Sequence, residues 1–167
     1  MPLCEKRHMK KLDWQQYKAE FLSDGSWRDI YVLDADVTIW QRLLDFLRSS
    51  NIQHHFGGED KPEYLNDLGT YFKERGQHGS LILSIDIYGV ILNCHFFIES
   101  EIEFDLDPKE ITDESKAVAV FEFMEMVSEA LTLPIRMTPE NMDETPIFEY
   151  SPGKRAWSYS PFYGKTA

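Results

Sequence analysis

Cysteine is scarce in this chain: its 167 residues include only two, Cys4 and Cys94. One lies in a polar N-terminal stretch and the other in an apolar run, and this separation favours free thiols over a structural disulfide. Free thiols are typical of a reducing compartment. Because no apolar stretch follows the basic residues near the N-terminus, no secretory signal is recognisable either. We therefore expect a cytoplasmic protein.

Long hydrophobic runs and positive charge are also in short supply. The longest apolar runs, such as residues 96–98, are far shorter than the roughly 20 residues that a membrane-spanning helix needs. Lys and Arg number 17 against 29 Asp and Glu, which gives a formal net charge of −12. Nucleic acids and anionic membrane surfaces both attract Lys and Arg, so we expect neither of them as a partner.

Motifs for catalysis and for cofactor binding are missing as well. The sequence has no phosphate-binding glycine loop, dinucleotide fingerprint or nucleophile elbow. Asp105 and Asp107 are spaced like the start of a calcium loop, but Lys109 replaces the third ligand and Glu110 replaces the required glycine. His95 follows a cysteine within a predicted strand, and such neighbours point to opposite faces and cannot share a zinc ion. We expect no cofactor and no catalytic activity.

The chain does have enough apolar residues to fill a core, since 43% are hydrophobic and 14% aromatic. Its length is usual for one folded unit. We therefore predict a single domain over residues 1–167. It would begin with a polar tail at 1–11 and end with an aromatic segment at 151–167 that packs back onto the domain.

The periodicity of the apolar residues predicts an α+β fold with an antiparallel sheet. Alternating side chains indicate a three-stranded meander with strands at about 81–87, 90–98 and 102–106. Apolar stripes indicate helices that cover one face of the sheet, at about 36–48, 62–75 and 113–131. Shorter elements are a helix between residues 12 and 22 and extended segments at 27–33, 135–138 and 147–150. The stretch with His54, His55, Gly57 and Gly58 is predicted to be a loop.

The two turns of the meander set its register. A two-residue turn at Tyr88-Gly89 pairs Leu83 with Cys94, both apolar. At the second turn, a two-residue connection without a bulge would bury an acidic side chain at a cost of several kcal/mol. We therefore predict a three-residue loop centred on Ser100, although a bulge could give the same facing.

This second turn, as predicted, places Phe96 beside Phe104 and His95 beside Asp105. The reverse face of the meander then collects the candidate binding residues, which are Asp86, His95, Glu103, Asp105 and Asp107.

Charge supports a role for this face beyond simple solvation. Residues 99–149 contain 15 acidic and 3 basic residues, so this segment carries a charge equal to that of the whole chain. Clustered carboxylates attract cationic proteins and speed their association. We therefore predict a non-catalytic acidic protein that binds a basic protein. Its size, its charge and its lack of a catalytic motif resemble those of bacterial immunity proteins and other small inhibitors of basic toxins.

Two alternatives stay open. A metal-dependent hydrolase could use a divalent ion shared by Asp86, Asp105 and Asp107, because carboxylates on neighbouring strands can bind one metal. A scaffold or assembly component could instead use its terminal segments for contacts between subunits. The sequence does not indicate an oligomeric state.

Overall fold

The computed structural model describes residues 12–58, 65–77 and 79–166. It has the predicted α+β fold, with eight antiparallel strands in one sheet. The strands are β1 Arg28–Leu33, β2 Gln53–Gly58, β3 Leu81–Ile87, β4 Val90–Ile98, β5 Glu101–Leu106, β6 Ile135–Pro139, β7 Phe148–Ser151 and β8 Ala156–Tyr159. They lie in the order β2-β3-β4-β5-β1-β6-β7-β8, so the predicted meander β3-β4-β5 is confirmed and is extended on both sides.

The described residues include four α-helices, and two of them begin where the sequence predicts. They are α1 Trp14–Tyr17, α2 Val37–Ser49, α3 Leu68–Lys73 and α4 Glu114–Leu131. The Asp36 carboxylate accepts a hydrogen bond from the Ile39 N–H and caps α2. Asp113 caps α4 in the same way through the Lys116 N–H. Each carboxylate satisfies a backbone donor that the helix itself leaves free, which fixes the first turn.

The predicted helix at about 62–75 is shorter in the structure. Its expected start at Pro62 lies outside the described residues, and residues 65–67 are not α-helical. The helix α3 begins after Asp67, whose carboxylate accepts hydrogen bonds from the Thr70 N–H and hydroxyl. This cap, which the sequence reading overlooked, competes with an earlier start.

The core lies between the helices and one face of the sheet. Alternate residues of the strands point into it, and Cys94 is buried there with a free thiol, as expected. Aromatic contacts join the layers: Trp40 of α2 stacks on Phe96 of β4 at 4.7 Å, and Phe123 of α4 meets Phe104 of β5 edge-on at 5.8 Å. None of the described helices is long and apolar enough to cross a membrane. Cys4 and the predicted tail at 1–11 lie outside the described residues.

Two strands lie where the sequence predicted none. The stretch 53–58, predicted to be a loop, is the edge strand β2, in which Phe56 pairs with Leu83 of β3. Its sequence lacks apolar alternation, and the free edge of β3 supplies the hydrogen bonds that hold it. The aromatic C-terminal segment does pack back as predicted, with Tyr159 stacked on Phe148 at 5.0 Å. Its residues 156–159 also add the strand β8 to the other edge.

Candidate functional site

The first turn of the meander has the predicted register. Leu83 lies opposite Cys94, and Tyr88 and Gly89 form the two-residue turn with φ angles of 51° and 88°. Positive φ at both positions suits the twist of a β-hairpin. The inward and outward faces of β3 and β4 are therefore as expected.

The predicted register of the second turn is wrong, although the predicted faces are right. The turn contains two residues, and Ile98 pairs with Glu101 across it. A bulge between His95 and Ile98 shifts the register of β4, so that His95 lies opposite Glu103 instead of Asp105. The extra residue restores the inward facing of the apolar side chains, and no acid is buried in the core. Two hydrogen bonds hold the turn, from Trp40 Nε1 to Glu99 O at 2.9 Å and from Ala35 N to Ser100 O at 3.0 Å.

Two of the five predicted site residues lie at the ends of strands and have local structural roles. The Asp86 carboxylate accepts a hydrogen bond from the Gly89 N–H at 2.7 Å and so closes the first turn. Asp86 also borders a cavity of about 400 Å³ beside the edge strand β2. The Asp107 carboxylate accepts from the Lys109 N–H at 3.0 Å and caps the short 3-10 helix Pro108–Glu110.

The other three residues lie together in the middle of the outer face. His95 Nε2 is 2.6 Å from Asp105 Oδ2, although the two residues are not directly opposite each other. The Asn93 side chain donates to the other Asp105 oxygen at 3.1 Å. The bond to Asp105 raises the pKa of His95 above its usual value. The His95 ring also stacks parallel to the Phe97 ring, with 4.8 Å between centroids.

Strand β1 adds residues that the sequence reading did not include in the site. Asp29 lies opposite Asp105, and Tyr31 lies opposite Glu103. Asp29 is only 3% exposed, and it accepts hydrogen bonds from the Tyr31 hydroxyl at 3.0 Å and from the Asn141 N–H at 2.7 Å. Burial raises the pKa of Asp29. Alternation in the predicted strand 27–33 could have shown that these two residues share a face, but only the pairing of β1 with β5 brings them to this site.

Glu103 occupies the centre of this surface, between His95 and Tyr31 on the neighbouring strands. Its side chain is half-buried, and burial, together with Asp29 and Glu101, raises the pKa of Glu103 to about 7. Within the described part of the chain, no group donates a hydrogen bond to its carboxylate. The carboxylates of Asp29 and Asp105 accept hydrogen bonds, whereas that of Glu103 is partly buried and accepts none from the described residues. The set of Asp29, His95, Glu101, Glu103 and Asp105 is called the acidic face below.

A nearby cation and an apolar margin border the acidic face. Arg136 of β6 lies opposite Tyr31, but its guanidinium binds the Glu149 carboxylate at 2.6 Å and the Asp143 carbonyl at 3.1 Å. On the other side, Phe97 and Ile98 are 47% and 50% exposed. The surface therefore combines carboxylates with exposed apolar groups.

Metal coordination finds little support in this arrangement. Among residues 12–58, 65–77 and 79–166, no group of three or more His, Cys, Asp or Glu side chains is placed to hold a metal ion. Asp86 and Asp107, two of the three ligands of the hydrolase alternative, are engaged in a turn and a cap.

Comparisons with protein-family models, with curated proteins and with solved structures find no match for this chain.

Proposed function

We propose that the protein is a non-catalytic binding protein that presents its acidic face to a basic protein. The state of Glu103 is the observation that carries this proposal. A partly buried carboxylate without a hydrogen-bond donor is destabilised in the free protein, which is expressed in its raised pKa of about 7. A guanidinium or ammonium group placed beside it would supply the missing donors and the opposite charge.

The surroundings of Glu103 favour a protein over other cationic ligands. A metal ion would need several converging ligands, and the described residues offer no such group. The exposed rings and aliphatic groups at Phe97 and Ile98 can instead bury apolar side chains of a partner beside the charged contacts. With a net charge of −12, nucleic acids and anionic membranes are unfavourable partners.

The more specific form of this proposal is that the protein is an immunity-type inhibitor of a basic toxin. Long-range attraction would bring the two proteins together quickly, and desolvated ion pairs at the acidic face would then slow dissociation. A cytoplasmic location belongs to the same proposal, and the free thiol of Cys94 is compatible with it.

Affinity purification with paired variants tests the proposal. E103Q/D105N removes two charges from the acidic face, whereas E114Q/E122Q removes two charges from exposed positions on α4. We expect the wild type and E114Q/E122Q to capture the same basic protein from lysate of the producing cells. We expect E103Q/D105N to lose it, because each desolvated charge pair removed costs about 2 kcal/mol or more.

Raising the salt concentration separates specific capture from general attraction. Screening should slow the association of all three baits. The wild type and E114Q/E122Q should still retain a slowly dissociating fraction, whereas E103Q/D105N should not. Equal capture by the two double variants would refute a role for the acidic face. Recovery of only neutral or acidic proteins would refute the basic partner.

A further inference from the structure

A second feature lies at the other end of the sheet, where a fully buried carboxylate holds the C-terminal segment. Glu20 is 0% exposed. Its Oε1 accepts from the Tyr159 hydroxyl at 3.0 Å, the Gly164 N–H at 3.1 Å and the Phe162 N–H at 3.2 Å. Its Oε2 accepts from the Tyr163 N–H at 2.9 Å. All these donors belong to residues 159–164, so within the described chain this segment alone supplies the hydrogen bonds of the carboxylate.

Arg28 supports this contact through the main chain of Glu20 and not through an ion pair with the Glu20 carboxylate. Its buried guanidinium donates to the main-chain oxygens of Glu20 at 2.8 Å, Leu22 at 2.9 Å and Trp27 at 3.1 Å. The same group lies over the Tyr163 ring, 3.8 Å from the centroid. Arg28 therefore fixes the backbone that carries Glu20 and also contacts the segment that Glu20 holds.

Apart from Glu20, the C-terminal segment is attached by a short edge strand, a few rings and single hydrogen bonds. These include the bond from Ser160 N–H to Ile147 O at 2.8 Å and the 3.2 Å contact between the Tyr163 hydroxyl and Ser26 Oγ. Strand β8 has four residues and pairs with β7 alone. Trp157 packs on Phe121 at 5.4 Å, and Tyr159 packs on Phe148 at 5.0 Å. The two rings beneath are buried, whereas the two rings above remain partly exposed. A strand this short, on an edge, is weakly held by its backbone hydrogen bonds alone.

We infer that residues 156–166 form a strap that opens and closes as a unit over Phe121 and Phe148, and that the Glu20 carboxylate is its latch. Hydrogen bonds to a carboxylate are the strongest that the segment makes, and those from Tyr159, Phe162, Tyr163 and Gly164 converge on Glu20, whereas Glu125 receives one, from Trp157. When the strap opens, water can hydrate Glu20, so release does not leave a bare buried charge. Opening exposes the edge of β7 and the rings of Phe121 and Phe148. This surface is accessible only when the strap is open.

Hydrogen exchange read by mass spectrometry tests the latch with the variant E20Q. A glutamine has one acceptor oxygen, and its NH₂ group would face the Tyr163 N–H donor or its neighbours. We expect amides of residues 156–166 to exchange about tenfold faster or more, with β1 and β5 unchanged. The matched control is E125Q, since Glu125 contacts the strap through one bond from Trp157 Nε1 at 3.2 Å and should change its exchange little.

A second variant approaches the latch from the strap. A methyl group added at Gly164 would lie 2.9 Å from Glu20 Oε1, so G164A crowds the carboxylate at a residue whose φ angle is not positive. We expect G164A to accelerate the same amides as E20Q, and the double variant to open less than the sum of the two. Unchanged exchange of the strap in E20Q would overturn the inference. Acceleration of the strap and the core together would overturn it equally, because the segment would then be part of the cooperative core.

Discussion

At the scale of single residues, the protonation of Glu103 links the acidic face to stability. The folded protein holds this proton up to about pH 7, whereas the usual pKa of a glutamate is 4.5. Between these values the folded state binds more protons than the unfolded state, so the stability contributed by the proton is lost as pH rises. His95 acts in the same direction, because its raised pKa gives stability that is lost as pH rises above its usual value of 6.5.

We therefore expect the free energy of unfolding to fall between about pH 5 and about pH 8, and the variant E103Q to flatten this decline. After allowance for screening at a half-exposed site, the part removed by E103Q is about 1 kcal/mol. Urea unfolding at the two pH values measures it. E122Q, at an exposed position on α4, should keep the wild-type decline. An E103Q profile as steep as that of the wild type would contradict the assigned protonation.

At the scale of elements, the cap of α4 anchors the long helix that covers the sheet. The Asp113 carboxylate accepts from the Lys116 N–H at 3.1 Å. D113A should lower the free energy of unfolding by about 1 kcal/mol, whereas D113N should lower it by only a few tenths, because asparagine is also a good N-cap. Denaturant unfolding of both variants checks this. Equal losses would show that charge, and not the hydrogen bond, carries the effect.

At the scale of the whole molecule, the net charge of −12 should make stability depend on salt. Raising the ionic strength from about 0.01 M to about 0.1 M shortens the screening length from about 30 Å to about 10 Å and weakens repulsion among the carboxylates. We expect the melting temperature to rise by about 2–4 °C, as a gain of about 1 kcal/mol would produce in a chain of this size. The rise should be smaller for E103Q/D105N. A fall in melting temperature with salt would show that attractive ion pairs outweigh the repulsion.

Elements with local signals were predictable from the amino-acid order. Asp36 and Asp113 mark the starts of two helices because a short polar side chain before an apolar stripe satisfies free backbone donors. Alternation in the meander determined which side chains point outward, since a shift of one residue would have buried charged groups. His95, Glu103 and Asp105 were placed on one face by this argument alone.

Features that depend on pairing between distant segments became visible only in the folded chain. Strand β2 has no apolar alternation of its own, and the alternation of Trp157 and Tyr159 in β8 covers only four residues, so each strand depends on an open sheet edge for its hydrogen bonds. The bulge in β4 changed the neighbours of His95 while keeping its face. Strand β1 brought the buried Asp29 beside Asp105 from 76 positions away along the chain, and Glu20 likewise met the amides of the C-terminal strap. Such contacts leave no local periodicity, because their energy comes from burial and hydrogen bonding that exist only once the chain has folded.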